Sequence, residues 1–242
     1  GNSGWIVQDT GISEEAMNFI LDHLEELLYE KIRGNIKAIL ISHSHVDHIS
    51  GIGALVTTEE TGAIEEGKIP VIVPGPWEKS RVAEHAGAGN AMVRRSAFQF
   101  AYEVEKGVKG TLGDSLSWDY IVGKGSYIAP TMEIFEKTVL EIDGISIELI
   151  PTPDTETKAH MCTYIQNYRV LYLGDNGHDS IHYIINPRGI QVRDANQWGN
   201  IFYDLAIHYG NIADVAFSGH GRPHWNTKEN TSLVKNKLLE HA

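Results

Sequence analysis

The sequence predicts a layered α/β domain, and three observations carry that prediction. Apolar strand-like runs alternate with helical stretches through the first 74 residues, the pattern of an α/β layered fold. A loop dense in His and Asp follows the second of those runs directly. A second, β-rich half opens around Asp143-Gly144, a dipeptide that marks a tight hairpin between two apolar runs.

Taken in order, Gly4 to Thr10 reads as a strand and turn. Ser13 caps a helix, with Glu14 and Glu15 suited to its first turn. Met17, Ile20, Leu21, Leu24, Leu27 and Leu28 recur at helical spacing, and Gly34 is expected to end the element. Ile36 to Ile41 is a buried strand, a helix begins near Ile52, and Pro70 to Pro74 is a further short buried strand. Helical character returns over Ala91 to Arg95, and Gly107 to Ser117 reads as a long loop. The β signal resumes from Tyr127, with Val139 to Ile142 and Ile145 to Ile150 as hairpin arms. Tyr164-Ile165 and Val170 to Leu173 pair around Asn167, Asp194 to Tyr209 is a helix, and Val215 to Phe217 is a final strand ending at His220. Nothing resembles a repeat or a linker, so residues 1–242 are expected to form one domain. Only 42 residues precede His43, and an abbreviated N-terminal sheet is expected.

Composition excludes some partners. The formal net charge is −12, which argues against nucleic acid, because phosphate backbones call for clustered basic residues. No apolar run approaches the length of a membrane span. Cys162 is the one cysteine, so no internal disulfide forms and the compartment stays open: cytoplasmic, or periplasmic or secreted if a signal preceded residue 1.

The stretch richest in chemistry is Ile41-Ser42-His43-Ser44-His45-Val46-Asp47-His48. His43 and His45, two apart on an extended segment, point the same way and can share a cation. Asp47 and His48 come where the chain turns into a helix and would face a second cation. Imidazole suits zinc or iron, and a carboxylate adds charge. A solvated His-rich loop is the alternative, but three His and one Asp at this spacing after a strand favour metal.

His-Ser-His-Val-Asp-His resembles the HxHxDH signature of the metallo-β-lactamase superfamily. The resemblance implies a four-layer αβ/βα sandwich with a one- or two-metal site at the edge of its sheets. It also implies further ligands at strand ends: His160, Asp175 and His220. The expected assembly is His43, His45 and His160 on one Zn2+ and Asp47, His48 and His220 on the other, with Asp175 bridging, and Asp47 is expected to serve catalysis as well. Read alone, Asp175 could be a turn residue and His220 a surface His.

Within the superfamily the chain is similar to the alkylsulfatase branch. Gly89-Asn90-Ala91-Met92 with Arg94 and Arg95 matches a branch element. Lys106 to Gly110 loosely resembles an Arg-Gly loop, and Ile128-Ala129-Pro130-Thr131 a Pro-Thr element. Arg188-Gly189-Ile190-Gln191-Val192-Arg193-Asp194-Ala195, after His182 and before Trp198, matches the longest of them. The resemblance implies hydrolysis of a small anionic, amphiphilic sulfate ester. It also implies that Arg188 and Asn90 bind the sulfate and that His182 protonates the leaving oxygen or orients the sulfate. A surface Arg and a core His are the plainer readings of Arg188 and His182. Arg193 is expected to be structural, paired with a carboxylate. Three departures stand out. The branch has a Glu, in a Gly-Thr-Glu-Ala-Pro segment, at the position of His160. It has a Glu at Asp175, and a His at Asp179. These departures keep two alternatives in view: a broader hydrolase of phosphoesters, thioesters or lactones, and a non-catalytic metal-stabilised scaffold. The branch also carries a helical dimerisation domain, which leaves a homodimer as one assembly to expect.

Overall fold

The computed structural model describes residues 1–87, 89–101, 104–105, 107–110, 123–180 and 182–242. Chain order is β1 (Trp5–Gln8), α1 (Glu14–Leu28), β2 (Ile36–Leu40), α2 (Val46–Ile49), α3 (Ile52–Leu55), α4 (Thr58–Glu65), β3 (Val71–Pro74), α5 (Trp77–Gly87), α6 (Gly89–Gln99) and β4 (Met132–Ile134). The second half runs β5 (Thr138–Ile142), β6 (Ile145–Pro151), β7 (Met161–Ile165), β8 (Val170–Tyr172), α7 (Ala195–His208), β9 (Val215–Phe217), β10 (His224–Trp225) and α8 (Leu233–Glu240).

The strands form two sheets. The first is parallel, in the order β1-β2-β3-β4; the second is mixed, in the order β10-β9-β8-β7-β6-β5. Three apolar clusters define the layering. Leu40, Ile72 and Ile134 of the first sheet meet Ile145, Ile147, Leu149 and Met161 of the second. Met17, Leu21, Ile52 and Leu55 cover the outer face of the first sheet, against Ile39, Ile41, Val71 and Val73. Trp198, Phe202, Leu205, Val234 and Leu238 cover the outer face of the second. The result is helix, sheet, sheet, helix, the four-layer sandwich. Continuous apolar runs such as Val71-Ile72-Val73 are what a strand buried on both faces requires.

Local chemistry explains the element ends. Ser13 Oγ accepts from the Ala16 amide and Asp194 Oδ1 from the Gln197 amide, so both helices start where an N-cap predicts. Asp143 and Gly144 both take positive φ, 48° and 77°, as a two-residue hairpin turn needs. Glu60 closes a capping box with Thr57 and also accepts from the Ile36 amide at 2.7 Å, tying α4 to the start of β2.

Several expectations change. Helix α1 stops at Leu28, where Tyr29 takes a left-handed conformation (φ 55°), six residues before Gly34. Only Met17 and Leu21 of its apolar set are buried; Ile20, Leu24, Leu27 and Leu28 are exposed. The helix near Ile52 is a succession of short pieces, α2, α3 and α4. Helical structure around Ala91 extends through α5 and α6, and β4, β10 and α8 carry patterns too short or too polar to read from sequence. In the expected loop from Gly107 to Ser117, positions 111–117 lie outside the described residues, as does Lys106. No helix among the described residues is long and apolar enough to cross a membrane.

Candidate metal centre

The site lies at one edge of the sandwich, where β2, β8 and β9 end and the connection from β6 to β7 crosses over. The chain leaves β2 extended, with His43 bridged to the backbone of His160, and enters α2 at Val46. His43 and His45 stand on the extended part, Asp47 and His48 in the first turn of α2.

Two sets of donors converge. His43, His45, Glu156 and Asp175 form one; Asp47, His48, Asp175 and His220 form the other. In the first, His43 Nε2 lies 3.0 Å from His45 Nδ1 and 3.7 Å from Asp175 Oδ2, and His45 Nδ1 lies 3.2 Å from Glu156 Oε1. In the second, Asp175 Oδ2 is 3.2 Å from His48 Nε2 and 3.4 Å from His220 Nε2, while Asp47 Oδ2 is 2.9 Å from His220 Nε2 and 3.6 Å from His48 Nε2. A single oxygen of Asp175 therefore belongs to both. The first set is buried. The second opens to solvent, with the His220 side chain 49% and Asp47 31% exposed.

Three of the rings are aimed from behind. Asp9 Oδ2 accepts from His48 Nδ1 at 2.7 Å and Glu84 Oε1 from His45 Nε2 at 2.7 Å, while His43 Nδ1 meets Ser42 Oγ at 3.0 Å. A carboxylate on the far nitrogen fixes which nitrogen faces the centre. Asp9 is held in turn by Tyr172 Oη, Ser42 Oγ and the Ser42 amide, at 2.6–2.7 Å. Gly219 is obligatory, since a Cβ there would stand 2.6 Å from both Asp175 Oδ1 and His48 Cε1.

The electrostatics follow from this crowding. Burial opposes charge on every member, and the neighbours decide the outcome. Burial, with the charges of His48 and His45, drives His43 well below the usual imidazole range. Against burial, hydrogen bonds to Glu156 and Glu84 lift His45 to about 10. His220, bonded to Asp175 and Asp47, is also raised to about 10. Against burial, His220 and His48 hold Asp47 down at about 2, and His48 and His220 hold Asp175 well below the carboxylate range.

The donor sets fit divalent metal. Each offers two imidazole nitrogens and two carboxylates, and Asp175 Oδ1 and Glu156 Oε2 are buried without a hydrogen-bond partner. Asymmetric sets of this kind suit zinc or another borderline dication.

Six of the seven predicted ligands come together: His43, His45, Asp47, His48, Asp175 and His220. His160 does not. Its Nδ1 is bonded to Thr152 Oγ1 at 2.7 Å and its Nε2 accepts from the Asp175 amide at 3.3 Å. It holds the backbone of Asp175, the residue common to both donor sets, and is spent in doing so. Burial takes it down to about 4. Its expected place is filled by Glu156. The signal is present in the sequence: Thr155-Glu156 matches the Thr-Glu of the branch segment, four residues ahead of His160. Asp9, Glu84 and His178 were also missed. His178 packs against His182 and His220, with ring centroids 4.6 and 5.6 Å away, and burial lowers it to about 4.

His182 lies beside the first set, not in it. Its Nε2 is 3.0 Å from Glu156 Oε2 and its Nδ1 2.6 Å from Arg193 Nη1. Arg193 is 5% exposed and pairs with Glu156 Oε1 at 2.6 Å, the carboxylate partner expected for it. Arg188 is half-buried on the same segment, and its side chain makes no ion pair or hydrogen bond to another described residue. Asn90 is exposed in the first turn of α6, and that helix adjoins the segment through Arg95, which packs on Gly189. Asp179, at the position of the branch His, pairs instead with His224 at 2.8 Å.

Comparison with known proteins agrees with this geometry. A family model described as the metallo-beta-lactamase superfamily matches residues 1–232. An alkyl/aryl-sulfatase of Saccharomyces cerevisiae is 30% identical over 99% of the chain and 36% of its own length. An (R)-specific secondary-alkylsulfatase of a Pseudomonas species is 28% identical over 93% of the chain and 33% of its own length. The solved structure of a stereoselective inverting sec-alkylsulfatase from a Pseudomonas species superposes with a TM-score of 0.89 at 27% identity, covering 100% of this chain and 37% of that one. The chain thus spans about a third of the length of the relatives it matches.

Proposed function

This chain belongs to the metallo-beta-lactamase superfamily, and we propose that within it the protein hydrolyses alkyl sulfate esters using two zinc ions. The observation that carries the reading is the seating of the Arg188–Ala195 element on the donor sets. Through Arg193 it touches both Glu156 and His182. That element is the feature most specific to alkylsulfatases, and here it abuts the metal donors. The sulfatase relatives point the same way.

In this reading His43, His45, Glu156 and Asp175 hold one zinc, and Asp47, His48, Asp175 and His220 the other. When bound, the two dications supply Lewis acidity and an activated water. The protein's own groups do the rest. The ester enters on the open side, past Asp47 and His220. A sulfate monoester spreads one negative charge over three oxygens, and the Arg188 guanidinium offers a planar fork to match. Asn90 adds a neutral donor from α6. His182 sits at the rim of the first set and contacts the ester, orienting the sulfate or protonating the leaving oxygen. The partner is a small anionic amphiphile.

The test combines metal analysis with turnover. Zinc-loaded protein should hold two metals per chain and release sulfate from alkyl sulfates, with phosphate esters of the same alkyl group poor substrates. Zinc content of two with equal or greater turnover of phosphate esters or lactones would move the protein to a broader hydrolase. Zinc without turnover on any ester class would leave a metal-stabilised scaffold. His182→Gln should keep both metals at saturating zinc and lose about a hundredfold or more in turnover. Normal turnover with lowered stability would return His182 to a packing role.

A further inference from the structure

Arg193 is a buried cation held by three hydrogen bonds and an ion pair. Its Nε donates to the Glu156 carbonyl at 3.0 Å, Nη1 to the Tyr183 carbonyl at 2.6 Å and to His182 Nδ1 at 2.6 Å, and Nη2 pairs with Glu156 Oε1 at 2.6 Å. The Trp198 ring lies 5.9 Å from the guanidinium carbon. One side chain therefore joins the connection that carries Glu156 to the segment that carries His182 and Arg188.

Arginine has no acceptor. Where Nη1 meets His182 Nδ1, the arginine donates and the ring nitrogen accepts. The ring proton then sits on Nε2, the nitrogen that lies 3.0 Å from Glu156 Oε2. What Arg193 decides is which ring nitrogen carries the proton, a matter of tautomer. The same guanidinium grips Glu156 at its backbone and at Oε1, the oxygen nearest His45.

We propose that Arg193 is a positioning residue that fixes the ring of His182 as its Nε2–H tautomer and orients Glu156 in the first donor set. Both are properties of the chain itself; that the ring so held faces an ester rests on the sulfatase reading above.

Nitrogen-15 NMR of histidine-labelled protein tests it, metal-free and zinc-loaded, with the His182 signals identified by their loss in His182→Gln. The expected spectrum shows an unprotonated Nδ1 and a protonated Nε2 at neutral pH. A protonated Nδ1 would overturn the proposal. In Arg193→Met the Nδ1–H tautomer should appear, and affinity for the more tightly held zinc, read by competition with a chelator, should fall about 10–100-fold. Arg193→Lys, which keeps the charge and loses the fork, should restore affinity in part and the tautomer less well. Unchanged tautomer and affinity in Arg193→Met would overturn the proposal, and if that variant does not fold, the wild-type spectrum and Arg193→Lys still decide. Protein inactive on every ester but showing the expected tautomer would refute the sulfatase reading and leave the role of Arg193 standing.

Discussion

Asp175 reaches both donor sets with one oxygen, and residues of this kind were legible because their surroundings are local. His43, His45, Asp47 and His48 lie within six positions, so strand geometry alone brings them together. Asp175 and His220 each follow a strand. Glu156 was obscured by a choice between two candidates four residues apart, which only the crossing of the β6–β7 connection resolves. Asp9 and Glu84 were illegible for another reason: each lies 39 positions from the His it orients, and nothing in a lone Asp or Glu announces a histidine partner. Arg188 gives the residue-scale prediction. Unlike Arg193, its guanidinium is not engaged by another described residue, so removing it disturbs little of the fold. Arg188→Ala should lower kcat/KM for an alkyl sulfate by tenfold or more, about 1.4 kcal/mol or greater. Arg188→Lys keeps the charge, loses the fork and should remain impaired. A specificity constant within twofold of wild type in Arg188→Ala would refute sulfate binding there.

Elements were read well where pattern and boundary chemistry agreed. The 143–144 hairpin, the Ser13 and Asp194 caps and the strand at Ile36 have both. Helix α1 shows what periodicity misses: a stripe at helical spacing says which residues share a face, not how much of that face another element covers. Its C-terminal turn is secured instead by Glu25. That carboxylate accepts from the amides of Ile32 and Arg33 at 2.9 and 3.0 Å and pairs with Lys31 and Arg33. Against the opposing effect of burial, these bonds hold it at about 2, below the ordinary value of 4.5. A depressed carboxylate stabilises the fold fully above its unfolded pKa, and the contribution is lost as pH falls through the folded value. The window here runs from about pH 4.5 down to about pH 2. Glu25→Gln should lower stability at pH 7 by about 1–2 kcal/mol, moderated by solvent near the ion pairs. It should also flatten the decline of stability across that window. Parallel acid limbs for wild type and variant, in urea melts between pH 5 and 2, would show that Glu25 contributes nothing there.

At the scale of the whole molecule, the donor sets are drawn from both halves of the sandwich. His43, His45, Asp47 and His48 follow β2 of the first sheet; Glu156, Asp175 and His220 are carried by the second. Between the sheets lies an apolar layer, Leu40 and Ile72 against Ile147 and Leu149, which holds them without any ion. At their edge, however, imidazoles and carboxylates crowd against one another largely out of water, and burial opposes charge on His43 and Asp175. A metal bound there joins the two sheets and exists only in the folded state, so its binding free energy adds to stability. At a hundredfold excess over Kd, each site contributes about 2.7 kcal/mol, which for a chain of this size is a rise in Tm of about 5–10 °C per site. Zinc should therefore raise Tm in two steps as its concentration increases, and a chelator should reverse both. Asp175→Ala should abolish most of the response, since that oxygen serves both sets. His220→Ala should remove one step and leave the other, because the buried set does not include it. A Tm that zinc does not move, or a response to zinc that survives Asp175→Ala intact, would mean that these seven side chains do not hold metal between the sheets.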